Sequence, residues 1–190
     1  HSMHFTLIYR GQLKSNGTRD EKHRVRSVIH GQLKKLWEYP PLNGQVNLKN
    51  ELLDQWGIKP TPIVTKEHNT FQFAPVFSKG QSVLVELDIL LLRPEPSGSV
   101  IVSRGDLDNR LKTLFDALRV PNSDELPKKI EPTEDQCPFF CLLEDDTQIV
   151  KVNVETDILL EPVSAQMEVQ LFLRVKTRLS KVTYGNIGLG

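Results

Sequence analysis

Hydrophobic spacing divides the first forty residues into a strand, a loop and a helix. Residues 4–9 (HFTLIY) are typical of a short strand, and the stretch 10–19, with two glycines and an asparagine, is typical of a loop. From Asp20 onward, apolar residues recur at helical spacing and predict a helix that Pro40-Pro41 ends. The apolar positions of this helix are Val25, Val28, Ile29, Leu33 and Leu36.

The middle of the chain predicts two strands and a second helix. Residues 71–77 and 82–92 predict strands on either side of a turn at 79–81. The second of these strands is apolar at nearly every position, which is typical of a strand covered on both faces. An apolar stripe then predicts a helix that ends at about residue 118: Leu107, Leu111, Leu114 and Leu118.

Alternation returns at the end of the chain. Residues 150–158 and 167–175 alternate between apolar and polar positions, so we expect an antiparallel pair of strands with one solvated face. The predicted order is β-α-β-β-α-β-β. It indicates an α+β fold with one mixed sheet and two main helices.

A single domain over residues 3–190 accommodates these elements. We expect elaborations at about 42–70, which is polar, broken by proline and contains a short helical candidate at 49–56, and at 119–143, where 122–142 is a proline-rich acidic loop. His1-Ser2 before Met3 is interpreted as a cloning remnant.

Composition excludes several classes of protein. A chain of 190 residues with 38% hydrophobic and 25% charged residues is typical of a globular protein with a sizeable core. No apolar run approaches the roughly 18 residues of a membrane span, and the N-terminal layout is not that of a signal peptide, so we expect a cytoplasmic protein without a membrane partner. Cys137 and Cys141 are the only cysteines, too few for a disulfide scaffold and without a second ligand pair for zinc.

Charge is unevenly distributed although the formal net charge is zero. Residues 124–146 hold eight acidic and two basic residues, which gives −6 there and +6 for the remainder. Basic residues cluster near the first helix, at Lys34 and Lys35, and near the end of the chain. Such clusters are found both on solvated faces and along phosphate backbones, so charge alone selects no function.

Two aspartates, Asp106 and Asp108, lie where the second helix is predicted to begin. In an extended chain, residues i and i+2 point to the same side, whereas in a helix they diverge by about 200°. The two carboxylates therefore converge only if the helix begins near Asp108, and a divalent cation such as Mg²⁺ would then offset their repulsion. An Asp at a helix start also serves as an N-cap, so both interpretations stay open here.

Further charged residues surround this pair. Asp108, Lys112 and Asp116 are spaced by four residues and so share one helix face. Glu144-Asp145-Asp146 comes directly before a predicted strand. Lys112 is either the partner in an ordinary i,i+4 ion pair or a cation that stabilises charge on a phosphate.

These residues carry a family resemblance. Residues 104–118 (RGDLDNRLKTLFDAL) and 143–149 (LEDDTQI) resemble the signature of the RusA-type Holliday junction resolvases, a family of crossover junction endodeoxyribonucleases. That signature is a DLDN-x-x-K-x-x-x-D-A-L helix followed by a D-D-x-Q-[VI] segment. By element order the resemblance extends over about residues 82–175.

The resemblance implies a RusA-like fold and a function in DNA recombination and repair, in a bacterial or prophage setting. It implies a homodimeric, Mg²⁺-dependent endonuclease, in which Mn²⁺ substitutes, that resolves four-way DNA junctions by paired nicking. Asp106, Asp108 and Asp146 match the family's metal-binding catalytic aspartates, Lys112 matches its catalytic-site lysine, and Asp116 and Asp145 match further acidic positions. The cations that we expect to contact DNA are Arg104, Arg110, Lys34, Lys35, Arg174, Lys176 and Arg178.

Three features depart from the family pattern. The family's proline-rich loop after the first strand is not recognisable in residues 10–19, the acidic join after residue 118 is longer than usual, and the elaboration at 42–70 is foreign to it. Two alternative functions therefore stay open. One is a nuclease of the same fold that acts on flap or single-stranded DNA, and the other is a catalytically silent DNA-binding or assembly module.

Overall fold

The computed structural model describes residues 2–42, 66–68, 70–95, 106–165, 167–183, 186 and 188–190. Two helices and seven strands lie in these ranges: β1 (His4–Gln12), α1 (Arg19–Leu36), β2 (Lys66–His68), β3 (Phe71–Phe77), β4 (Val83–Arg93), α2 (Asp106–Leu118), β5 (Phe139–Leu143), β6 (Ile149–Ile158) and β7 (Glu168–Leu179). The α+β class with two helices is confirmed. The helical candidate at 49–56 lies outside the described residues. Neither α1 nor α2 is both long and apolar enough to cross a membrane.

The larger sheet has four strands in the order β1-β7-β4-β6. β7 is antiparallel to both β1 and β4, while β6 is parallel to β4, so the predicted mixed sheet is confirmed. The predicted pairing of the last two strands with each other is wrong, because β7 inserts between β1 and β4. Alternation identifies the buried face of a strand but not its neighbour in the sheet.

Within the described residues, only one face of this sheet is covered. Burial alternates along β4, with Val85, Leu87 and Ile89 buried and the residues between them half-buried or exposed. The described residues therefore do not provide the cover on both faces that the sequence of β4 predicts. We call the other side of the sheet the open face; it is lined by Ile8, Asp88, Leu90, Asn153, Phe172 and Arg174.

A second, three-stranded sheet in the order β2-β3-β5 was not predicted. β5 lies in the segment predicted to be an acidic loop, and it pairs in parallel with β3. α1 packs against both sheets. Its Val25, Ile29 and Leu33 belong to the main hydrophobic core, and a capping box formed by Thr18 and Glu21 fixes its first turn.

The side of α1 that faces β5 carries two buried histidines. The rings of His23 and His30 contact the Phe139 ring, with centroid separations of 5.6 and 4.6 Å. His30 Nδ1 accepts a hydrogen bond from the Phe140 backbone N–H (2.8 Å), and its Nε2 lies 3.1 Å from the Asp135 carbonyl oxygen. Since Nδ1 accepts, Nε2 carries the proton and donates. Burial lowers the pKa of His30, and burial together with the nearby positive charge on α1 lowers that of His23 to about 4.

Candidate functional site

A cleft of about 230 Å³ runs between α2 and the turn that precedes β6. We call it the α2 cleft; it is lined by Asp108, Leu111, Lys112, Phe115, Asp116 and Asp146. The four-residue spacing of Asp108, Lys112 and Asp116 brings all three to one side of α2, as their positions on a helix require. Asp146, from the turn before β6, lines the same cleft.

Gln148 holds the turn that presents Asp146. Its side chain is buried, and its Oε1 accepts hydrogen bonds from the backbone N–H groups of Glu144 and Asp145, both at 3.1 Å. Its Nε2 donates to the carbonyl oxygens of Phe77 (3.1 Å) and Val83 (3.3 Å), at the end of β3 and the start of β4. The amide of Gln148 therefore ties the acidic turn to both sheets.

Asp145 and Asp146 have different surroundings. The Asp145 carboxylate accepts hydrogen bonds from the Thr147 hydroxyl and backbone N–H and lies 3.1 Å from Lys79 Nζ. The Thr147 hydroxyl and N–H, assisted by Lys79, lower the pKa of Asp145 to about 2. Asp146 is exposed and lines the α2 cleft. Asp145 therefore stabilises the turn, whereas Asp146 makes no ion pair with another described residue and can meet a ligand.

Asp116 is already neutralised by two cations. One of its carboxylate oxygens accepts from Lys22 Nζ (2.7 Å), and the other accepts from Arg119 Nη2 (3.1 Å). Arg119 also makes a two-pronged pair with Glu125, at 2.6 and 2.9 Å. Because the charge of Asp116 is balanced and its side chain is largely buried, Asp116 forms the floor of the cleft. The other three charged residues of the cleft make no ion pair with another described residue: Asp108, Lys112 and Asp146.

Asp106 does not line the α2 cleft. α2 begins at Asp106, two residues earlier than convergence with Asp108 requires, so the two side chains diverge around the helix. The Asp106 carboxylate accepts a hydrogen bond from Arg110 Nε (2.9 Å), lies 3.7 Å from Arg93 Nη1, and also accepts from the Ser15 hydroxyl. Partial burial raises the pKa of Asp106, but Ser15 and the two guanidinium groups outweigh that effect and lower it.

The expected trio of Asp106, Asp108 and Asp146 is therefore not brought together. Among the described residues, no three Asp, Glu, His or Cys side chains form a group that could hold a metal ion. Two carboxylates, Asp108 and Asp146, remain at the cleft. This donor set suits Mg²⁺, which usually takes one or two carboxylates and completes its octahedral shell with waters and substrate phosphate oxygens.

The cations expected to contact DNA lie in several places. Arg104 lies outside the described residues. Arg110 is buried, donates to Asp106 and to the Leu13 carbonyl oxygen (3.0 Å), and so does not present its guanidinium to solvent. On α1, Lys34 pairs with Asp135 and Lys35 with Glu38. The three on β7 are exposed on the open face: Arg174, Lys176 and Arg178.

Sequence reasoning missed the supporting residues Lys22, Lys79 and Arg119. Arg119 follows Asp116 by three residues, so helical spacing alone indicated that pair. Lys22 and Lys79 reach the acids from α1 and from the turn before β4. No local spacing signals such contacts. Comparison of the chain with family models, with curated proteins and with solved structures finds no match.

Proposed function

We propose that this protein is a Mg²⁺-dependent, structure-selective endodeoxyribonuclease that nicks branched DNA, with four-way junctions as its substrate. One observation carries the proposal: two carboxylates, Asp108 and Asp146, and one cation, Lys112, line one cleft, and none of the three makes an ion pair with another described residue. The same residues carry the resemblance to the RusA-type resolvases. That resemblance supports the choice of DNA and of a junction as substrate.

Each charged side chain of the cleft has a proposed role. Asp108 and Asp146 would hold Mg²⁺ beside the scissile phosphate, where the bound ion would supply a hydroxide from its water and stabilise the leaving 3′-oxygen. The Lys112 ammonium would stabilise the negative charge that develops on the phosphate oxygens. Asp116, held by Lys22 and Arg119, would keep the floor of the cleft in place without adding net negative charge.

Because the cleft is acidic, DNA binding should depend on the divalent metal ion and on salt concentration. An acid-lined cleft repels DNA unless a cation is present, so productive binding should require the metal. Contacts to phosphates would provide most of the affinity, which should fall steeply as salt concentration rises. A homodimer would supply the two sites that paired nicking of a junction requires.

The test is nicking of a synthetic four-way junction in Mg²⁺ by the wild-type protein and by Asp108→Asn and Asp146→Asn. Asp124→Asn, which changes an exposed acid outside the cleft, is the matched control. We expect both cleft variants to lose at least about a thousandfold in rate, as when a transition-state contact is removed, with the control unchanged. Cutting of flaps or single strands alone would change the substrate of the proposal. A folded wild type that binds junctions but never cuts them would make it wrong.

A further inference from the structure

A cationic cavity lies beside the first turn of α1, apart from the α2 cleft. It encloses about 570 Å³, which is within the range of small-molecule sites, and it shares no lining residue with the cleft. Three cations line it: Arg19 from the start of α1, and Lys128 and Lys129 from the segment before β5. We call this cavity the basic pocket.

The cations of the basic pocket are not neutralised by the described part of the chain. Arg19, Lys128 and Lys129 are exposed, and none of them makes an ion pair or a side-chain hydrogen bond with another described residue. Lys22, one turn further along α1, pairs with Asp116 instead. Three positive charges therefore face a single acid of the described lining, Glu131.

Sequence and backbone conformation both single out the two lysines. Residues 124–146 hold eight acids, and Lys128 and Lys129 are the only two bases there. Adjacent side chains of an extended strand point to opposite sides. Lys129 instead has φ +61°, in the left-handed region that residues other than glycine seldom adopt, and the resulting turn brings both ammonium groups to the same cavity. Such backbone conformations are concentrated at ligand sites.

The rest of the lining combines an apolar floor with two hydroxyl groups. Leu126 and Pro127 are buried, and Ile130 packs against the same hydrophobic cluster as Leu126, which holds this floor in place. Thr70 and Ser123 are exposed and add hydroxyls to the lining. The pocket therefore offers donors for an anion and a flat apolar surface for a ring.

We infer that the basic pocket binds a nucleoside polyphosphate. The cations and hydroxyls would donate to the phosphate oxygens, the apolar floor would pack against the base, and Glu131 would accept from a ribose hydroxyl. Inorganic polyphosphate would leave the floor unused. Long DNA fits less well, because the pocket borders a segment of net charge −6, which repels an extended polyanion. This inference goes beyond the proposed function and does not depend on it.

The first test is titration calorimetry of the wild-type chain with ATP in EDTA, so that no metal links the ligand to the α2 cleft. We expect one ATP per chain, and we expect Arg19→Gln and Lys128→Gln each to weaken binding by about tenfold, as loss of one charge-assisted contact does. Lys151→Gln, which removes an exposed cation on β6, is the matched control and should bind as the wild type does. Circular dichroism establishes that each variant is folded. Absence of binding at about 1 mM ATP would overturn the inference, as would equal weakening by the control.

The second test identifies the source of the phosphate and the place of binding. Inorganic triphosphate and a 5′-phosphorylated single strand should both bind more weakly than ATP. If inorganic triphosphate binds equally well, the pocket recognises charge alone and the nucleoside assignment is wrong; if only the strand binds, the pocket is a DNA-end site instead. In methyl NMR spectra, ATP should shift Leu126 and Ile130 but not Leu111 of the α2 cleft, and the reverse pattern would contradict the inference. Neither test uses Mg²⁺ or nicking, so the proposed function can fail separately.

Discussion

Replacing Asp106 with Asn distinguishes between two roles for this residue, because the structure and the family resemblance assign it different ones. In the structure its carboxylate neutralises Arg110 and Arg93, both only 3% exposed, and in the resemblance it is a metal ligand. Asn keeps the shape of the side chain and one hydrogen-bond acceptor but removes the charge. We therefore expect Asp106→Asn to act on stability first.

The expected cost follows from the burial of the partners. Removing one member of a buried ion pair costs about 3–5 kcal/mol, because the remaining charge is left without a partner. The Asp106 side chain is itself 23% exposed, and Arg110 keeps its hydrogen bond to Leu13, so the cost should be smaller, about 2 kcal/mol. With a urea m-value of about 2 kcal/mol per molar, the unfolding midpoint should fall by about 1 M.

The matched comparison is Asp108→Asn, two residues along the same helix. Asp108 is exposed and makes no ion pair with a described residue, so its free energy of unfolding should change by at most about 0.5 kcal/mol. Under the proposed function it should nevertheless lose Mg²⁺ binding, measured by titration calorimetry without DNA, and junction nicking. Asp106→Asn, assayed without urea, should still bind Mg²⁺.

One pattern of results would refute this reasoning. If Asp106→Asn unfolds at the wild-type urea concentration and loses Mg²⁺ binding as Asp108→Asn does, then Asp106 is a metal ligand. The pair with Arg110 would then be a resting arrangement that the ion replaces.

Three further predictions follow from buried side chains. Burial lowers the pKa of His23 to about 4 and also lowers the pKa of His30, so the stability that the two neutral rings provide is complete above about pH 6.5 and is lost as pH falls toward 4. The urea midpoint of unfolding should therefore fall over this pH range, and a midpoint that does not change with pH would contradict the burial of the two rings. Exposed Cys137 should react with iodoacetamide while Cys141, whose burial raises its pKa to about 12, reacts only on unfolding, and mass spectrometry of the labelled peptides distinguishes the two. Gln148→Ala should cost about 2–3 kcal/mol and weaken Mg²⁺ binding as well, since it removes four hydrogen bonds that hold the acidic turn; unchanged unfolding in urea would show that the turn holds itself.

The spacing of hydrophobic residues predicted those helices and strands whose sequence carries a clear local pattern. α1 and α2 follow from apolar residues at helical spacing, and β1, β3 and β4 from strand-like runs between turn residues. β5 escaped prediction because its five residues follow a proline and directly adjoin an acidic loop, and its partner β3 lies more than sixty residues earlier. The neighbours of β7 escaped it for the same reason, since pairing between distant strands leaves no local pattern.

In the candidate site, too, helix spacing predicts the position of some residues, whereas contacts with distant parts of the chain determine the position of others. The shared face of Asp108, Lys112 and Asp116 follows from helix geometry, which the sequence alone determines. The position of Asp106 depends on where α2 begins, and Ser15 and Arg93, from distant parts of the chain, hold its carboxylate there. A spacing argument cannot weigh such contacts.

The difference between prediction and structure at β4 has a physical meaning of its own. The run of apolar residues in β4 indicated a strand covered on both faces, yet the described part of the chain leaves the outward Leu84, Leu90 and Leu92 on an open face. A strand exposed on one side usually alternates with polar residues, because leaving apolar area in water forgoes about 25 cal/mol for each Å². Sequence and structure agree again if a second copy supplies the missing cover. The oligomeric state in solution therefore tests the homodimer of the proposed function together with the pattern by which β4 was first recognised.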